Sequence, residues 1–191
     1  VFKDGTSCWG GSGALIVDTH AHIYSEDSKA YPVLRDPLRP PVGTGTPGLL
    51  QFEMERARVE RVMMVQTSTF YGWDNSFIRD TVRECTRWAE SVYTLDPEHP
   101  HTQEIIFALS KRAGLRALRI YPVGGHQKGI YEHPATRRMF GAARDNGIVA
   151  NVLLTDVKHV YGLTAILDDY PDVFVVLDHC ISLKAGDPSL N

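Results

Sequence analysis

Two histidines stand two residues apart in the segment Asp18, Thr19, His20, Ala21, His22. Side chains two apart along a strand project to the same face, so a strand here would place the two imidazoles side by side. Such a pair at a strand end is typical of a site for Zn²⁺ or a related ion. The alternative is that both are loop histidines that form hydrogen bonds with their neighbours.

A third histidine, His179, follows the apolar run 173–177, with Asp178 between them. If that run is a strand parallel to the first, His179 ends at the same edge as His20 and His22. Three imidazoles with an open position suit a catalytic ion, which lowers the pKa of a bound water to about 7. Alternation predicts that Asp178 points away from this edge, where it would hold a backbone group or a ligand side chain. The alternative for His179 is a buried residue that merely closes the strand.

The rest of the chain must supply the strands that hold these side chains together. Six short apolar runs, rich in β-branched residues, are typical of strands buried on both faces. They cover residues 14–17, 62–66, 92–95, 115–120, 148–154 and 173–177. Stretches of helical character separate them, at residues 48–60, 75–89, 102–113, 133–146 and 156–170. This alternation predicts parallel strands in sequential order with helices outside them. No glycine-rich phosphate loop follows the first run, which favours a (β/α)8 barrel over a dinucleotide-binding sheet.

Further polar and aromatic residues at the ends of these runs are candidates for substrate binding. Arg119 lies near the end of the fourth run, and Tyr121 follows on the same face. An arginine there could hold a substrate carboxylate through paired hydrogen bonds, and an ion pair inside the barrel wall is an equal alternative. Thr67 closes the second run, and Trp73 lies in the loop after it, where such side chains line pockets. The proline-rich segment 24–47 is predicted to be a lid or substrate wall.

The charge of the chain bears on its partners, among which a small-molecule substrate is the one expected. The formal net charge of −3 and the absence of a basic run exclude nucleic acid and anionic membrane surfaces as first expectations. The three cysteines, Cys8, Cys85 and Cys180, are far apart, which favours a reducing, cytoplasmic compartment. Residues 1–13 are expected to be a flexible segment, and residues 14–191 to be one barrel domain. The composition leaves the oligomeric state open.

The remaining histidines are expected to have no catalytic role. His99 and His101 also stand two apart, but the prolines around them predict a turn, in which the two rings need not share a face. His126, His133 and His159 are expected at the surface.

Four segments of the sequence resemble a known family. LIVDTHAHIYSEDSKAYP, VMMVQTSTFYGWDN, LRALRIYP and FVVLDHCISL, which lie within residues 15–183, resemble the amidohydrolase-related barrels, especially the branch with sugar lactonases and pyrone-dicarboxylate lactonase. The resemblance implies a (β/α)8 barrel in which water attacks a lactone or a related carboxyl ester. It implies that His20, His22 and His179 are catalytic and hold a divalent metal, zinc being the first expectation, although some relatives need no tightly held metal. Related decarboxylases use the same histidine pair, so decarboxylation of a small aromatic or enoic acid stays open.

The sequence departs from the family pattern at two places. The fifth run offers only Asn151 as a polar group where two-metal relatives have Lys or His, so a two-metal site is not expected. The family also has a catalytic Asp after its eighth strand, whereas the sequence ends soon after the sixth run. Because a barrel needs about 250 residues, the chain is expected to hold six βα units and to be inactive as a fragment. A non-catalytic binding module is the third alternative.

Overall fold

The computed structural model describes residues 15–124, 131–154 and 158–179. The expected flexible segment 1–13 lies outside these ranges, as do Cys8, Cys180 and His126. The strands are β1 (Val17–Ala21), β2 (Arg61–Val65), β3 (Ala89–Thr94), β4 (Ala117–Ile120), β5 (Val149–Val152) and β6 (Val175–Leu177). The helices are α1 (Pro47–Ala57), α2 (Ser68–Tyr71), α3 (Ser76–Glu84), α4 (Thr102–Arg112), α5 (Pro134–Asp145) and α6 (Lys158–Asp169). In the described ranges no helix is both long and apolar enough to cross a membrane.

The six strands form one parallel sheet in the order β1-β2-β3-β4-β5-β6, which confirms the predicted topology. Each strand pairs with the next one along the chain, as expected of successive right-handed crossovers. The strands and the helices between them form a half-barrel, with six of the eight strands of a (β/α)8 barrel in the described residues. In such a barrel, functional side chains collect where the carboxyl ends of the strands meet.

Alternation along the strands divides the side chains between two layers. Met64 and Leu118 belong to the large cluster that packs the outer face of the sheet against the helices. Their strand neighbours Val65 and Ala117 belong to a small cluster with Val92, which lies on the inner face. Because the inner cluster contains only strand residues, the helices cover one face and leave the other for the interior of the barrel.

Two elements differ from the sequence prediction. The first strand was predicted at residues 14–17 but is Val17–Ala21, because polar residues such as Asp18 and His20 interrupt the apolar pattern that marks a strand. His20 therefore lies inside β1, where the pairing with β2 shifts register between Asp18 and Ala21. The short helix α2 was not predicted at all, since four residues are too few to show a helical period.

The proline-rich segment contains no helix or strand in residues 24–46, as predicted. It packs against α2: the backbone N–H of Leu34 donates to the carbonyl of Phe70 (2.9 Å), and that of Leu38 donates to the carbonyl of Thr69 (3.1 Å). Because α2 follows the carboxyl end of β2, the segment lies on the side of the sheet that the lid prediction requires. It ends at Pro47, which begins α1.

Candidate active site

His20 in β1 and His22, just after this strand, face each other through their Nε2 atoms, which are 3.3 Å apart. Their rings meet edge to face, with centroids 4.9 Å apart. On the other side of each ring, Nδ1 has an oxygen partner. His22 Nδ1 lies 2.8 Å from the carbonyl oxygen of Val65, and His20 Nδ1 lies 3.4 Å from Oδ1 of Asp178.

These contacts determine where the protons of the two rings lie. A carbonyl or an ionised carboxylate can only accept, so each Nδ1 that faces one must carry the N–H. A neutral imidazole has a single N–H, which leaves both Nε2 atoms as lone pairs pointing at each other. That arrangement is unfavourable unless a cation, either a proton or a metal ion, lies between them. Two nitrogens bound to one tetrahedral ion at 2.0–2.1 Å are about 3.3–3.4 Å apart, which matches the observed spacing.

A buried carboxylate stands behind His20. Asp178 is 3% exposed, and its Oδ2 lies 3.1 Å from Nε of Arg119, which is 5% exposed. Asn151 donates from Nδ2 to Oδ1 of Asp178 (3.3 Å). Burial by itself would raise the pKa of this carboxyl, but the contact with His20 and the charge of Arg119 outweigh it and hold the pKa below its usual value. Asp178 is therefore ionised at neutral pH and keeps the proton of His20 on Nδ1.

The prediction that Asp178 points away from the mouth is wrong. Val173 and Val175 pack against the outer core, so alternation places Asp178 on the inner face. His179 is exposed and reaches the mouth by a left-handed backbone conformation (φ 54°), which brings its ring centroid within 4.7 Å of that of His20. The prediction failed because it treated His179 as the inward-facing residue of the strand, whereas β6 ends at Leu177 and His179 reaches the mouth only through its left-handed backbone.

The imidazole of His22 is kept neutral by its surroundings. Burial lowers its pKa from 6.5 to about 4, although the hydrogen bond with the Val65 carbonyl acts in the opposite direction. The charge of Arg119 lowers it further, as would a proton on the second nitrogen of His20. A neutral ring is the state that a metal ligand requires.

The third histidine stands beside this pair without completing a ligand set. Among the described residues no group of three or more His, Cys, Asp or Glu side chains is arranged to hold a metal ion. His20 and His22 thus supply two nitrogens at ligand spacing, and the role of His179 as a third ligand stays a prediction. Asn151, the only polar side chain of β5, contacts Asp178 rather than an ion site.

The predicted substrate-binding residues fall into two groups. Arg119 is committed to Asp178, which is the ion-pair alternative. Trp73 and Tyr121 meet edge to face with ring centroids 5.7 Å apart, and both line a cavity of about 370 Å³ at the carboxyl ends of β2, β3 and β4. Thr67 is buried and immediately precedes α2, outside the lining of this cavity.

The cavity lies beside the histidines rather than around them. None of the described histidines lines it. Tyr121 links the two places, because the Cζ atom of Arg119 lies 5.8 Å from the centroid of its ring and the same arginine contacts Asp178. Within the cavity wall the hydroxyl of Ser68 contacts that of Tyr121.

The other described histidines have structural environments. His159 is 6% exposed and packs 5.8 Å from the ring of Tyr131, so the prediction that it lies at the surface is wrong. It occupies the side of α6 that faces the core, a placement that its position near a helix start did not indicate. His133 caps α5 by accepting a backbone N–H on Nδ1. His99 accepts the backbone N–H of His101 (3.2 Å) within the turn predicted there.

Three solved structures illustrate the fold likeness. A candidate 2-pyrone-4,6-dicarboxylic acid hydrolase from Pseudomonas putida is 19% identical with a TM-score of 0.71, and the match covers 90% of this chain and 59% of that one. An amidohydrolase from Burkholderia multivorans with bound zinc is 20% identical with a TM-score of 0.61, covering 93% and 60%. A 5-carboxyvanillate decarboxylase from Novosphingobium aromaticivorans with bound manganese is 12% identical with a TM-score of 0.65, covering 88% and 67%. At these identities the likeness shows the fold alone.

The chain spans about three fifths of the length of the first two of these structures. No curated protein matches the sequence. The sequence model of one family, described as amidohydrolase, matches residues 17–186, from the first strand of the half-barrel to beyond the sixth. Because this match extends over most of the 191 residues, the protein belongs to the amidohydrolase family.

Proposed function

We propose that the protein is a hydrolase that opens a lactone or a related cyclic carboxyl ester with an activated water. In this proposal His20 and His22 hold a divalent ion, zinc first, and His179 is the third ligand. The observation that carries it is the pair of Nε2 lone pairs 3.3 Å apart, with both Nδ1 protons already committed. The bound zinc of the Burkholderia multivorans amidohydrolase supports the choice of ion.

The residues around the pair fit a metal site because they hold each ligand in the required tautomer. Metal-binding imidazoles usually donate their second nitrogen to a carboxylate or a backbone carbonyl. Asp178 takes that role for His20, and the carbonyl of Val65 takes it for His22. A divalent ion at such a site supplies Lewis acidity, which lowers the pKa of water and polarises a carbonyl.

The two carboxylates next to His20 position this residue rather than accept protons. Asp178 has a lowered pKa and an ion pair with Arg119, so it is a weak base. Oδ1 of Asp18 accepts the backbone N–H of His20 (3.0 Å), which holds the backbone at this point of β1. Neither carboxylate is proposed as the group that takes a proton from the attacking water.

A second candidate function is metal-dependent decarboxylation of a small aromatic or enoic acid. The fold likeness to the manganese-bound 5-carboxyvanillate decarboxylase supports it. The commitment of Arg119 to Asp178 weighs against it, because this arginine is then not placed to hold a substrate carboxylate. A non-catalytic binding module is the third candidate, and it would hold ligands without turnover.

Calorimetry on metal-stripped protein tests the site, and a substrate screen tests the reaction. We expect one zinc ion per chain, with His20→Ala and His22→Ala each lowering the affinity by about 100-fold or more. His99→Ala is the matched control and should leave binding unchanged, because His99 belongs to an exposed turn. Equal zinc affinity in His20→Ala and wild type would refute the metal site.

The reaction is tested by offering a panel of lactones and a panel of carboxylated aromatic acids, with acid release and CO₂ release followed separately. Acid release from a lactone that disappears in His179→Ala supports hydrolysis and the role of His179. CO₂ release from an aromatic acid identifies the decarboxylase. Zinc binding with neither product favours the binding module.

A further inference from the structure

The cavity beside the histidines has aromatic walls and negative charge. Trp73 and Tyr121 form part of its lining, together with the acidic residues Asp96 and Glu98. None of the described residues that line it is Lys or Arg. A cavity of about 370 Å³ lies in the range of small-molecule sites and has room for one small ring.

The charge of the lining decides which ring this cavity favours. The Cζ atom of Arg119 lies 5.8 Å from the centroid of the Tyr121 ring, and Nε of this arginine is paired with Asp178. A carboxylate-bearing ring would therefore bring a like charge next to Asp96 and Glu98, and no Lys or Arg among the described lining residues would offset it, which disfavours such a ring. An uncharged ring would bury apolar surface against the two aromatic side chains at no such cost.

Trp73 is an exposed side chain on a firmly held backbone. It is 44% exposed, yet every backbone carbonyl from residue 72 to residue 74 accepts a hydrogen bond from a side-chain amide. Gln66, 2% exposed at the end of β2, donates from Nε2 to the carbonyls of Gly72 (3.0 Å) and Asp74 (2.8 Å). The indole of Trp73 is therefore accessible to a ligand while its backbone is held in place. A side chain that binds a ring in a cavity wall requires both properties.

A second amide ties the same loop to the sheet. Asn75 donates from Nδ2 to the carbonyls of Trp73 (2.9 Å) and Thr94 (2.8 Å), and its Oδ1 accepts the backbone N–H of Thr94 (2.9 Å). Asn75 directly precedes α3, but its side chain makes no capping bond there. Gln66 is itself anchored, because its backbone N–H donates to the carbonyl of Val92 in β3.

We propose that this cavity is the substrate subsite of the function proposed above, that it takes an uncharged ring in preference to a carboxylate-bearing one, and that Gln66 and Asn75 are positioning residues for Trp73. The inference rests on the proposed function for the identity of the ring as substrate. The binding of a ring to the cavity does not depend on turnover, so the two can fail separately.

Binding of two unreactive probes tests the preference for an uncharged ring. Benzyl alcohol and benzoate carry the same ring and differ in charge. The indole N–H signals of ¹⁵N-labelled protein report where they bind, because the chain has three tryptophans and Trp73→Phe identifies one signal. We expect both titrations to shift the Trp73 signal, with a Kd for benzoate about tenfold higher. Equal or tighter binding of benzoate, or no effect of either probe on the Trp73 signal, would overturn the proposal.

Variants of the two amides test their positioning role. Gln66→Met keeps the size of the side chain and removes both donors, and we expect the Kd for benzyl alcohol to rise about tenfold and the Trp73 signal to move before any probe is added. Gln103→Met, at an exposed position of α4, is the matched control and should change neither. If Gln66→Met does not fold, Asn75→Ala, at a half-buried position, takes its place, and we expect the same rise in Kd and the same movement of the Trp73 signal. Unchanged affinity in a folded variant refutes the positioning role, whereas probe binding without any turnover refutes only the proposed function.

Discussion

Replacement of Asp178 by Asn is expected to destabilise the protein strongly, because it removes the charge that balances a buried arginine. Asp178 and Arg119 are 3% and 5% exposed, so water cannot replace either partner. Removal of one member of a buried pair leaves the other charge uncompensated, which typically costs about 3–5 kcal/mol. That is a large part of the free energy of unfolding of an ordinary domain, about 5–15 kcal/mol.

Urea denaturation of four proteins measures this coupling: wild type, Asp178→Asn, Arg119→Met and the double variant. We expect each single change to lower the free energy of unfolding by about 3–5 kcal/mol, and the double change to cost no more than the worse single one. The ion pair of Arg79 with Asp80 is the control, since both side chains are more than a third exposed and the pair should contribute about 0–1 kcal/mol.

The result that would refute this reasoning is a small effect of Arg119→Met. A loss below about 1 kcal/mol would show that Arg119 is not held by Asp178 in solution. Arg119 would then be available to bind a substrate carboxylate, which is the other alternative for this residue. The decarboxylase would gain support accordingly.

Three further predictions concern pH, a glycine and a helix cap. In metal-free protein the lowered pKa of His22, from 6.5 to about 4, means that the unfolded chain binds this proton more readily than the folded one. Stability should therefore fall by about 3 kcal/mol as pH drops from 6.5 towards 4, and unfolding of His22→Asn should show a flatter pH profile. Gly72→Ala should lower the free energy of unfolding by about 1–3 kcal/mol, because φ is 61° there and the new Cβ would lie 3.2 Å from a methyl carbon of Leu34. Gly48→Ala is the control, measured in the same thermal scans, and should lower it far less because nothing lies near its new Cβ. Thr46→Ala should lower the free energy of unfolding by about 1 kcal/mol, because Thr46 accepts the N–H of Leu49 at the start of α1; no loss in urea denaturation would contradict this cap.

The strand order could be predicted because buried parallel strands appear in the sequence as uninterrupted apolar runs. Runs such as 62–66 and 148–154 contain the observed strands Arg61–Val65 and Val149–Val152 to within one residue at their starts. The bounds of the first strand were predicted wrongly because its inner face carries polar residues of the site, including Asp18 and His20. The positions at which β1 departs from an apolar pattern are thus those that carry polar side chains of the candidate site.

The sequence indicated that Asp178 could hold a ligand side chain, and it does contact His20, but the face on which it lies was predicted wrongly because that face depends on where a strand ends. A shift of one residue exchanges the faces of a strand, so the placement of Asp178 required the end of β6 and the turn at His179 to be known. The choice between the two alternatives for Arg119 had the same difficulty, since its partner lies just beyond the end of a different strand. The spacing of His20 and His22, in contrast, is local and was readable directly.

The contact between His20 and Asp178 joins the first strand of the sheet to the end of the last one. Such a contact forms late, because the loop it closes includes nearly all of the described chain. During synthesis the histidine pair leaves the ribosome long before the carboxylate that assigns its protons. Until β6 has docked, nothing holds the His20 proton on Nδ1, and the pair should bind zinc weakly. Loading with metal would then report that β6 has docked, because the chain before and after this step would differ in its affinity for the same ion.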